Sequence, residues 1–212
     1  MENKMKKAVI FDVDGVLVDS FEANFKFFTD LMNKFDQNFM EKGEFSNFFN
    51  MPMKDLIRKT VRIEDEEEIE KIWKSGKDRE VQYPDELLNI PQHLEETIKS
   101  LNRDYILGIV TSRNASDVFN MEPISHFKQW FRIVIGYSDT KNHKPHPEPL
   151  ILVAERLGLK TDECVYIGDS ESDILAAKAA GMKAVLYHKE NLHDADANFS
   201  SFIELEDIIK SI

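Results

Sequence analysis

The chain has 212 residues, a formal net charge of −12 and one cysteine, Cys164. That length suits one domain with a large insertion, or one large and one small domain; the lone cysteine excludes an internal disulfide framework. The acidic balance argues against a nucleic-acid partner, which wants a basic face. No run approaches the ~20 apolar residues that span a bilayer, and the polar start from Met1 to Lys7 lacks a signal-peptide pattern. The expectation is a cytoplasmic protein with no membrane partner, as a monomer or a dimer.

The first element is the apolar run at 8–11, which reads as a buried strand and ends in Asp12, Val13, Asp14 and Gly15. A helical stripe follows: Phe21, Phe25, Phe28, Met32, Phe35 and Phe39 are spaced 4, 3, 4, 3, 4, with Asp19 expected to cap that helix. Next come a helix expected over 52–60 and an acidic stretch at 64–70 read as a solvated helix face. There Glu67 precedes Lys71 and Glu70 precedes Lys74 at the supportive i, i+4 spacing. Residues 20–85 are therefore expected to form a small inserted α-helical domain, and 1–19 with 86–212 the main one.

The later segments alternate. Strand-like Val- and Ile-rich runs stand at 106–110, 133–135, 165–167 and 184–187. They do not alternate in polarity, so they are expected to be buried on both faces. Helices are expected at 91–101 behind Pro91, at 148–157 between Pro147 and Gly158, and at 174–180. The last has capping-box spacing at Ser170 and Asp173 and a stop at Gly181. This pattern implies an α/β fold: a Rossmann-like parallel sheet with helices on both faces.

Open parallel sheets bind ligands beyond the carboxyl ends of their strands. The polar residues just past those ends are Asp12 and Asp14; Thr111, Ser112 and Arg113; Lys144; and Asp169 and Asp173. Acids gathered this way need a cation to stay ionised together. Carboxylate oxygens suit Mg²⁺, which shares its sphere with phosphate. A hydroxyl and an ammonium then suit a small phosphorylated substrate. Helix capping stays open for Thr111 and Ser112, and Arg113 could meet substrate or solvent. His143 and His146 flank Lys144 without a third ligand at zinc spacing.

Taken in order, "DVDGVLVDS", "GIVTSR", the lysine of "KPHPEP" and "GDSESD" resemble the four motifs of the haloacid dehalogenase-like hydrolase superfamily. The resemblance is to its phosphoglycolate phosphatase and β-phosphoglucomutase branch. It implies a phosphatase with Asp12 as nucleophile and Asp14 as general acid and base. Thr111 would bind phosphoryl oxygens, with Ser112 and Arg113 as further substrate contacts. Lys144 would hold Asp12 and the phosphoryl group. Mg²⁺ would be held by Asp12, Asp169 and the Asp14 carbonyl, and Asp173 would support the metal or Lys144. The insertion matches the family's helical cap by position, and Lys54 and Arg58 there are candidates for an anionic substrate tail. Asn50 stands where relatives commonly carry glycine, so no substrate carries over from that loop. A sugar phosphomutase is the nearest alternative. A phospho-accepting signalling domain is a further one, although it needs neither the second acid nor the insertion.

Overall fold

The computed structural model describes residues 6–49, 51–60 and 65–212. The chain divides into two compact units, residues 1–19 with 90–212, and residues 20–89.

In the first unit one sheet holds β1 (Ala8–Phe11), β2 (Ile106–Val110), β3 (Phe131–Ile135), β4 (Cys164–Gly168), β5 (Lys183–Tyr187) and β6 (Ala197–Phe199). Their spatial order is β3-β2-β1-β4-β5-β6, and every neighbouring pair is parallel. β1 and β4 lie at the centre and are buried along their whole length, which is why they read as unbroken apolar runs. β3 departs from the expected two-sided burial. It is an edge strand, and only Ile135 of its five residues is fully buried. β6 had no counterpart in the sequence reading, because three residues carry too little pattern.

Helices cover both faces. α6 (Glu148–Leu157) packs on β2 and β3, and α7 (Glu171–Ala180) on β4 and β5. α5 (Leu94–Asp104) packs on β2 and against α8 (Leu205–Ser211). Ala8 and Ile10 of β1 join the α6–α7 side of the core, and Asp12 and Asp14 continue the same two-residue parity. α6 and α7 end at Gly158 and Gly181, both left-handed, and α7 starts with the expected Ser170–Asp173 capping box. α5 starts three residues later than Pro91 suggests. Pro91 opens a turn instead, with Leu94 N–H donating to its carbonyl, and His93 is the left-handed N-cap.

The second unit contains α1 (Phe21–Lys34), α2 (Lys42–Phe45), α3 (Met53–Thr60) and α4 (Glu66–Lys77). Its core is apolar and rich in rings: Phe27, Phe28, Leu31, Met32, Phe45, Leu56, Ile57, Ile69 and Ile72. The Phe stripe outruns its helix. α1 stops at Lys34, Asp36 takes a positive φ, and Phe39 folds back to stack on Phe28 at 5.7 Å. Ser20, rather than Asp19, occupies the N-cap of α1. Glu70 pairs with Lys54 of α3 instead of Lys74, and Lys71 lies over the Phe35 ring. The unit runs to Asn89, past the expected 85. Tyr83 rests on Phe27 and donates to Asn24, and the turn Asp85–Leu87 packs on α1. Asn50 and the start of the acidic stretch at Glu64 lie outside the described residues. Among the described residues no helix is long and apolar enough to cross a membrane.

Candidate active site

The strand order reverses between β1 and β4, where the chains leaving the two strands part and open a crevice. Asp12 is the first residue past β1, and Asp169 the first past β4. Asp12 N–H donates to the Ile167 carbonyl at 2.9 Å, which ties the start of the first loop to β4. The loop then closes on itself, with Gly15 N–H on Val18 O and Val18 N–H on Val13 O. Gly15 has φ +79°, and a Cβ there would lie 2.0 Å from Asp169 Oδ2. Only glycine allows both the turn and the approach of Asp169.

Lys144 enters from the loop after β3 and is almost wholly buried. Its ammonium donates to Asp173 Oδ1 at 2.6 Å, to the Tyr166 hydroxyl at 3.1 Å, and meets Asp12 Oδ2 at 2.9 Å. An ammonium has three donors, and three oxygens face them. Tyr166 donates towards Asp173 Oδ1 at 3.1 Å, with the Val110 carbonyl at 3.3 Å. The other Asp173 oxygen accepts from Ser170 Oγ at 2.6 Å and from the backbone N–H of Ser170 and Asp169. A carboxylate has about four lone-pair sites, so the protein itself occupies Asp173. A Cβ on Gly168 would lie 2.2 Å from Asp173 Cβ, so any side chain there would displace this carboxylate.

The sequence reading missed Tyr166. It stands in a strand of aliphatic residues, and its signal was its phenol: a buried Tyr hydroxyl needs a partner. Ser170 was read as a cap only, whereas its hydroxyl also donates to the Asp173 carboxylate.

Arg113 meets a protein partner rather than open solvent. It clamps Asp14, with Nε donating to Oδ2 at 2.7 Å and Nη2 to Oδ1 at 2.6 Å. Thr111 is buried, its hydroxyl oxygen accepting from Arg113 N–H at 3.1 Å, so the hydroxyl proton can be given elsewhere. No α-helix starts there; 3₁₀ turns follow from Ala115, with Asn114 as the N-cap residue. Ser112 is half-buried between them. His143 stacks on Tyr137, and His146 Nδ1 accepts from Glu148 N–H. Lys54 pairs with Glu70, and Arg58 with Asp55 and Glu66, so both charges are matched inside their own unit.

Two buried carboxylates share one ammonium. Burial works against the Asp173 charge, but Lys144, Ser170 and Tyr166 outweigh it and hold this acid below its usual range. Burial pushes Asp12 up to about 7 against the pull of Lys144, with Asp173 and Asp14 adding to the push. Burial also opposes the Lys144 charge, and Asp12 and Asp173 more than reverse that. One negative charge is left without a counterion, which is the condition a cation relieves. Carboxylate oxygens of Asp12, Asp169 and Asp173 lie within 4.8 Å of one another. The donors are all oxygens, as a hard divalent cation requires. With Asp173 already engaged, Asp12 and Asp169 are the carboxylates placed to ligate. The site therefore fits the metal expected from the sequence.

A family model described as haloacid dehalogenase-like hydrolase matches residues 9–187. The chain is 30% identical over 176 residues to the pyrophosphatase PpaX of Bacillus cereus, covering 82% of this chain and 80% of that protein. It is 43% identical over 94 residues to the phosphoglycolate phosphatase of Salmonella choleraesuis, covering 44% of this chain and 37% of that one. The crystal structure of a HAD-superfamily hydrolase, subfamily IA, variant 1, from Geobacter sulfurreducens PCA matches with a TM-score of 0.72 at 27% identity, over 96% of both chains.

Proposed function

The chain belongs to the haloacid dehalogenase-like hydrolases, and on that premise we propose that it hydrolyses small phosphorylated metabolites through an aspartyl-phosphate on Asp12, with Mg²⁺ as its cation. It is a phosphatase of this family, acting on phosphoric monoesters. The observation that carries the mechanism is the meeting of Asp12, Asp169 and Lys144 at the strand-order reversal.

An Asp12 oxygen attacks phosphorus, and the bond from phosphorus to the leaving oxygen breaks. Asp14 gives that oxygen its proton. Water then attacks the phosphoryl group and passes a proton to Asp14, and the bond to Asp12 breaks to release phosphate. Dividing the reaction lets one carboxylate do what water does poorly, and the acid–base help is worth ~10²–10⁴ in rate. Thr111 donates its hydroxyl to a phosphoryl oxygen, and Lys144 acts through its charge, since its three donors already face oxygens. Asp173 holds Lys144 in place. Mg²⁺, held by Asp12, Asp169 and the Asp14 carbonyl, would neutralise charge on the phosphoryl oxygens. The unit at 20–89 stands in sequence where this family carries its cap.

The test is a panel of phosphorylated metabolites, phosphoglycolate and hexose phosphates included, assayed with and without Mg²⁺. Phosphate release that needs the metal and is lost in Asp12→Asn is the expected result. Full release by Asp12→Asn removes Asp12 as nucleophile. Conversion of one hexose phosphate into another, with no phosphate released, replaces the hydrolase with a phosphomutase.

A further inference from the structure

Arg113 takes both oxygens of Asp14. That fork holds the carboxylate as a double acceptor and fixes its orientation, so the proton transfers asked of Asp14 compete with the clamp. The Arg113 backbone is pinned: its N–H donates to Thr111 Oγ1 at 3.1 Å, and its carbonyl accepts from Tyr137 N–H at 2.8 Å. The loop is also packed tightly, since a Cβ on Gly136 would lie 2.2 Å from Ala115 N. The part of Arg113 left to move is its side chain, which is 20% exposed against 7% for Lys144. Lys144 is committed to three oxygens and cannot answer a substrate's tail. A guanidinium fork matches a carboxylate or a phosphate with two parallel hydrogen bonds, as it now matches Asp14.

We propose that Arg113 is a latch on Asp14, opened when a second anionic group on the substrate draws the guanidinium to itself. The proposal rests on the phosphatase reading above, and it names the substrate class: phosphoryl compounds with a carboxylate or phosphate close to the scissile bond. A substrate with a neutral tail offers Arg113 nothing, and Asp14 stays clamped. Recognition of the second anion and release of the acid–base group are then one movement. The chemical step is the one given above, with the proton of Asp14 going to the leaving oxygen.

The test measures kcat/KM for the full chain with Mg²⁺ on phosphoglycolate, inorganic pyrophosphate and ethyl phosphate, in the wild type, Arg113→Ala and Arg113→Lys. The first two carry a carboxylate and a phosphate; the third is similar in size to phosphoglycolate and has no second anion. The wild type is expected to prefer at least one anionic tail over ethyl phosphate by at least about a hundredfold, since a site that hydrogen-bonds a polar group can reject the analogue lacking it by ~10⁴–10⁵. Which tail it prefers names the anion. Arg113→Ala should lose about tenfold or more on the preferred substrate and gain on ethyl phosphate, because the clamp is gone. Arg113→Lys keeps the charge without the fork and should regain part of the preference. Equal wild-type rates on all three, or an equal fall on all three in Arg113→Ala, overturns the latch and leaves the phosphatase reading standing. A wild type that releases phosphate from none of them, nor from an aryl phosphate, overturns both.

Discussion

The two units solve opposite problems. The unit at 20–89 keeps charge out of its core and builds it from Phe27, Phe28, Phe45 and aliphatic neighbours, with ion pairs such as Lys54–Glu70 and Arg58–Glu66 on its surface. The unit of 1–19 and 90–212 buries Asp12, Lys144 and Asp173 beside its sheet. Buried charges are expensive and pay only where they are matched and hydrogen-bonded. Here strand ends, a helix cap and Tyr166 supply that matching. The difference locates function: one unit spends its sequence on packing, and the other tolerates an electrostatic load that packing alone would not ask for.

The sharpest way to break this contrast is Lys144→Met. It leaves Asp12 and Asp173 buried without their shared ammonium, so stability should fall by ~3–5 kcal/mol and turnover by ~10²–10³. Urea unfolding and steady-state kinetics read the two effects; a folded, fully active variant would show that the buried pair does no chemistry. Phe45→Ala probes the other unit. Phe45 is wholly buried and touches Phe21, Phe25, Phe28, Phe39 and Phe49, so ~3–5 kcal/mol should be lost by calorimetry. A loss below ~1 kcal/mol would mean the ring cluster collapses around the gap.

Smaller changes sharpen the comparison. Tyr166→Phe removes the hydroxyl between Lys144 and Asp173 while keeping the ring, and should cost ~1–3 kcal/mol because two buried charges lose a partner. An unchanged denaturation midpoint would reduce the phenol to packing. Arg58→Ala, which removes the exposed ion pairs to Asp55 and Glu66, should change stability by no more than ~1 kcal/mol. Cys164 is the mildest probe. Burial, with Glu163 adding, raises its thiol to about 11, so a thiol reagent at pH 8 should react only after unfolding. The sign for stability follows. The unfolded thiol ionises first, near 9, so this group's contribution is intact below that pH and declines as pH rises from 9 towards 11. Rapid labelling of the folded chain would contradict the burial.

Much of the site was legible because its residues sit just past strand ends that any buried parallel strand announces. Asp12 and Asp169 follow β1 and β4 directly, and an apolar run stopping at acids is visible without a structure. Arg113 was not legible in the same way. Its pairing with Asp14 spans ninety-nine positions and depends on β1 and β2 lying side by side. Tyr166 hid inside a strand whose other residues explain themselves by burial. The end of α1 was misread for the opposite reason: Phe35 and Phe39 keep a helical spacing although the chain has already turned at Asp36.

The sequence alone determined the elements of the sheet, the break where the helical unit enters, and the residue types available to each loop, because hydrophobic period and capping chemistry are local. Tertiary structure decided which of those residues share a charge. Whether Asp173 meets a metal or Lys144, and whether Arg113 faces solvent or Asp14, depends on distances between loops that adjacent parallel strands bring together. Electrostatic energy depends on those distances and on burial, and neither is written in residue order.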